Sequence, residues 1–347
     1  MYIKKILLTI VLLGLAAMAV FSYYIYDKIF TPNTSFNNEE AHIYIPTGAS
    51  FAYVQEELEP LLKDPESFAV VAERKGYPSN IKPGHFVIKK ESNNNEIINS
   101  IRIGNKPIDI KFNNQERLEN LASHLSNLME PDSLAFISAF KEASFLKKAG
   151  FNEDSALGMY LPNTYEVYWN TSAESFRDKM LKAYNVFWTP ARDSKAKKIG
   201  LNREGVMALA SIVQKETAKE DERPRVAGVY VNRITLGMPL QADPTVIFAK
   251  KRAENDYNQV IKRVLYKDLE IDSPYNTYKN LGVPPGPISM PDVSAIKAVL
   301  NYENHEQLYF VADVTNFGYH KFAKTLSQHN RNKAKYVAWI NKNGVNR

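Results

Sequence analysis

From Ile6 to Tyr26 the chain runs 21 residues without a charge, ILLTIVLLGLAAMAVFSYYIY. As an α-helix this stretch is about 31 Å long, close to the thickness of a bilayer's hydrocarbon core. Such a segment either crosses a membrane or is removed as a signal, and in both cases the residues after it fold outside the cytoplasm. Lys4 and Lys5 precede the run and keep the N-terminus cytoplasmic, while Tyr23, Tyr24 and Tyr26 gather at its far end like an interfacial aromatic belt. Ala17-Met18-Ala19 fits a small-x-small cleavage site, which is the alternative. Apolar residues nevertheless continue through Phe21 and Ile25, beyond the usual signal core of about 7–15 residues, and favour a retained anchor. No second run of this length follows, so a single-pass protein of the cytoplasmic membrane is expected.

The 347 residues allow about two further domains with ample core. Cysteine is absent, which excludes a disulfide scaffold, a thiolate nucleophile and a thiolate metal ligand. The formal charge of +6 raises the question of a nucleic-acid partner. Its distribution answers it: residues 314–347 hold seven basic groups and no acid, and residues 42–313 are near neutral. The excess belongs to a last helix, expected over Ser327–Asn341 with Ala334, Val337 and Ala338 inward and its cations outside. No nucleic-acid partner is expected.

Residues 1–27 read as the cytoplasmic stub and anchor, and the polar stretch 28–41 as a linker. Residues 42–105 form a small αβ module. Ile43-Tyr-Ile45 is a strand, Ser50 caps a helix carrying Val54 and Leu58, and Phe68–Glu73 continues helical. Phe86-Val-Ile88 returns as a strand, and Asn93 opens a helix through Ile97, Ile98 and Ile101. The module carries no clustered carboxylates and no phosphate loop, so a binding or spacer role is its default. Residues 106–347 form a larger region of mixed helix and strand, making the expected class α+β.

The most informative stretch is the helix following Asn202, a good N-cap residue. Leu209, Ile212, Val213 and Glu216 stand at i, i+3, i+4 and i+7, which places a carboxylate on an apolar stripe. Either the helix ends there and Glu216 reaches solvent, or the side chain enters a semi-apolar cleft. In a cleft, desolvation would keep it protonated, as a general acid requires at neutral pH. Two loops bear on the choice. Gln241-Ala-Asp243-Pro-Thr245 sets an amide, a carboxylate and a hydroxyl on a rigid turn. Ser273-Pro-Tyr275-Asn276-Thr277-Tyr278 precedes a proline-rich loop and offers flat rings with neutral hydrogen-bonding groups, suited to a polyhydroxylated ligand. A structural proline loop with buried tyrosines is the competing reading. The six histidines are dispersed and show no metal-binding spacing; no cofactor fingerprint occurs, so neither metal nor cofactor is expected. His320 could touch a substrate, with a structural role as its alternative.

The ordered motifs Ala210-Ser-Ile-Val-Gln-Lys-Glu-Thr217, Gly237-Met-Pro-Leu-Gln-Ala-Asp-Pro-Thr-Val246, Ser273-Pro-Tyr-Asn-Thr-Tyr278 and Pro284-Pro-Gly-Pro-Ile288 resemble the endolytic murein transglycosylase, or YceG-like, family. Tyr160-Leu-Pro-Asn-Thr-Tyr165 and Lys82-Pro-Gly-His-Phe86 fit as well. Gln214 departs from the Glu of many members, and Met290-Pro-Asp292 from their Asn-Pro-Gly. The resemblance implies a LysM-like subdomain at residues 42–105, a catalytic domain at 106–347, and Glu216 as catalytic acid. It implies non-hydrolytic cleavage of bacterial peptidoglycan between N-acetylmuramic acid and N-acetylglucosamine, leaving a 1,6-anhydro end. Gln241, Asp243, Thr245, Tyr275, Asn276, Thr277, Tyr278 and His320 are then the candidate substrate-binding residues. Glycan strands are the implied substrate, with peptidoglycan synthases as partners. Two readings compete: a hydrolase in which Asp243 activates water, and a non-catalytic glycan-binding scaffold.

Overall fold

The computed structural model describes residues 2–343, so Arg347, one of the basic tail residues, lies outside it. The chain divides into two compact units. The first comprises the residues up to Ile110 together with Leu128–Pro131 and Tyr165–Ser172; the second holds the remainder. The body of the small unit therefore ends a few residues beyond the expected 105 and borrows two short later segments.

The first unit begins with α1 (Tyr2–Phe30), a 29-residue helix with no buried residue through its apolar length. It is long and apolar enough to cross a membrane by length and composition. β1 (Glu40–Ile45), α2 (Phe51–Leu58), α3 (Pro65–Arg74), β2 (Gly84–Lys89), α4 (Asn94–Ile103) and β3 (Pro107–Phe112) follow. β1 and β2 pair antiparallel, with Ile43 opposite Phe86 and Ile45 opposite Gly84. Alternation along β1 sends Ile43 and Ile45 inward, where they meet Val54, Leu58, Phe68, Val71, Ile97, Ile98 and Ile101 in one core. Side-chain caps start α2, α3 and α4: Ser50 accepts from Tyr53 N, Asp64 from Ser67 N, and Asn93 forms a capping box with Glu96.

The stretch read as a linker is built into this unit. Asn33 and Thr34 are 5% and 4% exposed. Asn33 Nδ2 donates to Asp64 O at 2.9 Å and to Asn94 Oδ1 at 2.8 Å, while its Oδ1 accepts from Asp64 N at 2.7 Å. Lys28 Nζ meets Asp64 at 2.6 Å, and Lys28 O accepts from Asn94 Nδ2 at 2.8 Å. Polar composition suggested a solvated tether, but Asn33 spends its polarity inside the unit.

The second unit is mainly helical. It contains α5 (Leu118–Ser126), α6 (Ser133–Phe140) and α7 (Ala143–Ala149), whereas β4 (Asn163–Tyr168), the partner of β3, lies mostly in the Tyr165–Ser172 segment of the first unit. α8 (Ala173–Phe187), α9 (Pro190–Lys198), α10 (Arg203–Glu216), α11 (Arg223–Thr235), α12 (Asp243–Ala253) and α13 (Val293–Leu300) complete the helical body. The hairpin β5 (Tyr309–Ala312) and β6 (His320–Ala323) leads to α14 (Leu326–Lys342). The mixed class holds, although regular strand is confined to short two-stranded pairs among the described residues. α10 lies at the centre, with every residue from Gly205 to Val213 buried against α11, α12 and α13. The turn expected at Asp243 opens a helix instead, because Pro244 fits the first turn and Asp243 complements the helix dipole. On α14 the expected inward residues Ala334, Val337 and Ala338 are exposed. His329, Asn332, Tyr336, Trp339 and Ile340 are the half-buried stripe: small aliphatics gave the wrong phase, and larger amphipathic side chains cover the hairpin.

Candidate active site

Asn202 accepts from Gly205 N at 2.8 Å and starts α10; Thr217 takes an extended conformation and stops it immediately after Glu216. The acid thus projects from the last turn of a helix whose other turns are locked in the core. Of the two readings left by the sequence, the cleft is the one found. Glu216 lines a cavity of about 310 Å³ with Tyr230, Arg233, Gln241, Asp243 and Tyr278, closed on another side by Tyr309, Phe310 and His329. Tyr230, 2% exposed, donates its hydroxyl to Glu216 Oε1 at 2.7 Å. Burial lifts the Glu216 carboxyl to about 7; the Tyr230 hydrogen bond opposes the shift, and the nearby Asp243 charge reinforces it. At neutral pH a large fraction of Glu216 therefore carries its proton.

Asp243, in the first turn of α12, accepts from Tyr278 OH at 2.6 Å, so each carboxyl in the cavity is held by a tyrosine. Gln241 also faces the cavity, from a left-handed backbone at φ 50°. That conformation is costly for a non-glycine residue and needs support from its surroundings. The support is the Thr277 strut: Thr277 O accepts from Gln241 N at 3.0 Å, and its Oγ1 accepts from Ala242 N at 3.0 Å.

The remaining sequence candidates lie elsewhere. Thr245 is fully buried, bonded to Ala242 O at 2.7 Å and to Thr277 Oγ1 at 2.8 Å. Asn276 is also fully buried, donating to Leu269 O at 2.8 Å and Ile271 O at 2.9 Å. Thr245 and Thr277 therefore tie the two loops together, while Asn276 fastens its own loop to the segment before it, and all three keep their polar groups inside. Tyr275 lines a second cavity of about 230 Å³, its hydroxyl 3.2 Å from Asp154 and its ring 5.1 Å from the Arg252 guanidinium. His320 pairs through Nδ1 with buried Glu222 at 2.8 Å. It does not line the main cavity, but its charge, when present, lowers the Glu216 pKa.

Sequence reasoning assigned no role in the site to Tyr230, Arg233, Tyr309 or His329. Arg233, 8% exposed, donates to Leu308 O at 2.7 Å and Leu240 O at 2.8 Å, drawing the Gln241 loop and β5 to the same cleft. Tyr230 and Arg233 are one turn apart on α11, which was the available signal; nothing local links them to Glu216. The His329 ring stacks on Tyr309 at 5.3 Å, and burial lowers its pKa, with Lys333 and Arg233 adding to the effect. Among the described residues no three His, Asp or Glu side chains gather as a metal would require.

An endolytic murein transglycosylase of Bacillus subtilis (strain 168) is 29% identical over 335 residues, covering 91% of this chain and 90% of its own. One from Streptococcus pneumoniae serotype 2 (strain D39) is 28% identical over 354 residues, or 93% of this chain. The chain spans only 63% of that streptococcal protein's length. A crystal structure from Listeria monocytogenes, described as YceG-like, superposes with a TM-score of 0.57 at 27% identity, covering 85% of this chain and 99% of that one. The model of the YceG-like family matches residues 43–335, a span that includes Glu216 and every residue of the cavity around it. The chain belongs to the YceG-like family.

Proposed function

We propose that this chain is a membrane-anchored lytic transglycosylase that cuts peptidoglycan strands internally, with Glu216 as its acid and then its base. The observation that carries the reading is the half-buried Glu216 carboxyl, raised to about 7 in a cleft and held by Tyr230. The names of the relatives support the substrate.

The steps balance without water. Glu216 gives its proton to the glycosidic oxygen, and the N-acetylglucosamine side leaves with a free 4-hydroxyl. The C6 hydroxyl of the muramic acid attacks its own anomeric carbon, and Glu216, now a carboxylate, takes the hydroxyl proton. A 1,6-anhydro end results and the enzyme is restored. One carboxyl serves where hydrolytic glycosidases need two. The Tyr230 hydrogen bond fixes the carboxyl and stabilises its charge midway. Asp243, oriented by Tyr278, places negative charge where the sugar ring becomes cationic. Gln241 is positioned to hold the ring.

The same reading places α1 across the cytoplasmic membrane with both units outside the cytoplasm. It makes the small unit a LysM-like glycan-binding module and sets the enzyme to trim or terminate nascent strands beside a peptidoglycan synthase. The second reading has its own support, because Asp243 lines the same cleft and could activate a water. Product mass separates them. Fragments released by the wild type are expected to end in an anhydro sugar, lighter by one water than a hydrolysed reducing end. Reducing ends alone would establish the hydrolase, and no fragments under any condition would favour the scaffold.

Tyr230→Phe tests the positioning of the acid. Without the donated hydrogen bond the Glu216 pKa rises further, so the alkaline limb of the pH–rate profile moves to higher pH. Turnover falls about 10-fold as the emerging carboxylate loses a bond worth roughly 1.5 kcal/mol. An unmoved profile would remove Tyr230 from the mechanism.

A further inference from the structure

A groove of about 930 Å³ separates the end of α1 from α3 within the first unit. Phe21, Tyr24 and Ile25 of α1 form one wall and Val70 of α3 the other; Phe21 and Val70 are 64% and 56% exposed. Arg74 and Lys75 at the end of α3 stand at its rim, and Glu66 is the acidic residue of its lining. Phe21 precedes the last uncharged residue, Tyr26, by about 7.5 Å of helix. The groove therefore opens along α1 where hydrocarbon gives way to headgroups in a bilayer spanned by that run. An apolar space of this size, open and lined by exposed side chains, is unfavourable in water.

The rim cations point to what fills it. Lys28 is already answered by Asp64 at 2.6 Å. Among the described residues Lys75 Nζ bonds to the amide oxygens of Asn95 at 2.5 Å and Asn99 at 2.9 Å, and Arg102 donates to its carbonyl. No carboxylate pairs with Arg74, Lys75 or Arg102 among the described residues. Burial and the neighbouring Arg102 lower the Lys75 pKa, as expected of a cation lacking its counter-ion.

We propose that this groove seats an anionic phospholipid of the outer leaflet, its chains against Phe21, Tyr24 and Val70 and its phosphate toward Arg74 and Lys75. Helix α3 thereby lies in the headgroup layer and forms a second membrane contact of the small unit. The proposal rests on the membrane-spanning reading of α1, and its test separates the two.

The chain has no cysteine, so single spin labels can be placed without background. Phe21→Cys, Val70→Cys and Ile103→Cys are made in the full chain, reconstituted in phosphatidylglycerol–phosphatidylcholine bilayers, and probed with oxygen and a water-soluble paramagnetic reagent. Ile103, 83% exposed at the far end of α4, is the aqueous control. Positions 21 and 70 are expected to favour oxygen and position 103 the aqueous reagent. A label at 70 behaving like that at 103, with 21 still in lipid, overturns the proposal alone. A label at 21 that is also aqueous overturns the membrane reading with it. Native mass spectrometry of Arg74→Gln/Lys75→Gln is expected to show several-fold less retained phosphatidylglycerol relative to phosphatidylcholine. Unchanged retention would overturn the anionic assignment.

Discussion

Replacing Glu216 by Gln is expected to lower strand cleavage by about 10²–10⁴-fold, with export, folding and glycan binding retained. Gln fills the same space and its amide oxygen can still accept from Tyr230 OH, so the packing around α10 is preserved. What is lost is the proton. Without it the leaving oxygen must depart as an alkoxide, and after cleavage no carboxylate remains to take the C6 hydroxyl proton. The measurement is the rate of muropeptide release from intact strands, with fragments identified by mass. Asp243→Asn should cost less, because Asp243 acts through charge and exchanges no proton in the proposed cycle. Wild-type turnover in the Glu216→Gln variant would end the proposed mechanism. A larger loss in Asp243→Asn than in Glu216→Gln would move the chemistry to the hydrolytic reading.

The same variant should be the more stable protein above neutrality. Glu216 titrates near 7 in the folded chain, against about 4.3 when unfolded. Between these values the native state holds a proton that the unfolded state has released. Stability therefore falls as pH rises through this window and levels off above 7. The full shift corresponds to at most about 4 kcal/mol, and with Glu216 only half-buried the observed change should be about 1–3 kcal/mol. Gln has no such titration. Unfolding of wild type and Glu216→Gln should nearly coincide at pH 4 and separate by that amount at pH 8, with the variant higher. Activity follows the same proton in the wild type: the catalytic acid is lost as pH rises through about 7. A stability difference that stays constant with pH would mean that Glu216 does not titrate as the cleft geometry requires.

How legible the site was depends on the range over which each contact forms. α10 was readable because its N-cap, apolar stripe and terminal acid lie within one segment. The partners of Glu216 were not, since Tyr230, Arg233, Tyr309 and His329 come from α11, β5 and α14 and meet only through packing. The loops gave a mixed result for a related reason. Gln241, Asp243 and Tyr278 face the cleft, whereas Thr245 and Thr277 turn inward to bond each other and Asn276 to bond carbonyls just upstream of it. Sequence records that a hydroxyl or amide is available, but not whether a ligand or a carbonyl will use it. The stretch 28–41 was misread in the same way, as a linker where Asn33 is a buried connector.

That connector leaves no swivel between α1 and the unit it carries. Lys28, Ile29 and Asn33 are all engaged with α3, α4 or the core beneath them. A thinner bilayer tilts a spanning helix to hide its excess apolar length. With α1 spanning the membrane as proposed, the tilt cannot be absorbed at the junction and tips the small unit as well. In the proposed membrane-spanning arrangement the thickness of the membrane becomes a mechanical input, one that a flexible Gly/Ser insertion after Tyr26, ahead of the Lys28 and Ile29 contacts, would disconnect.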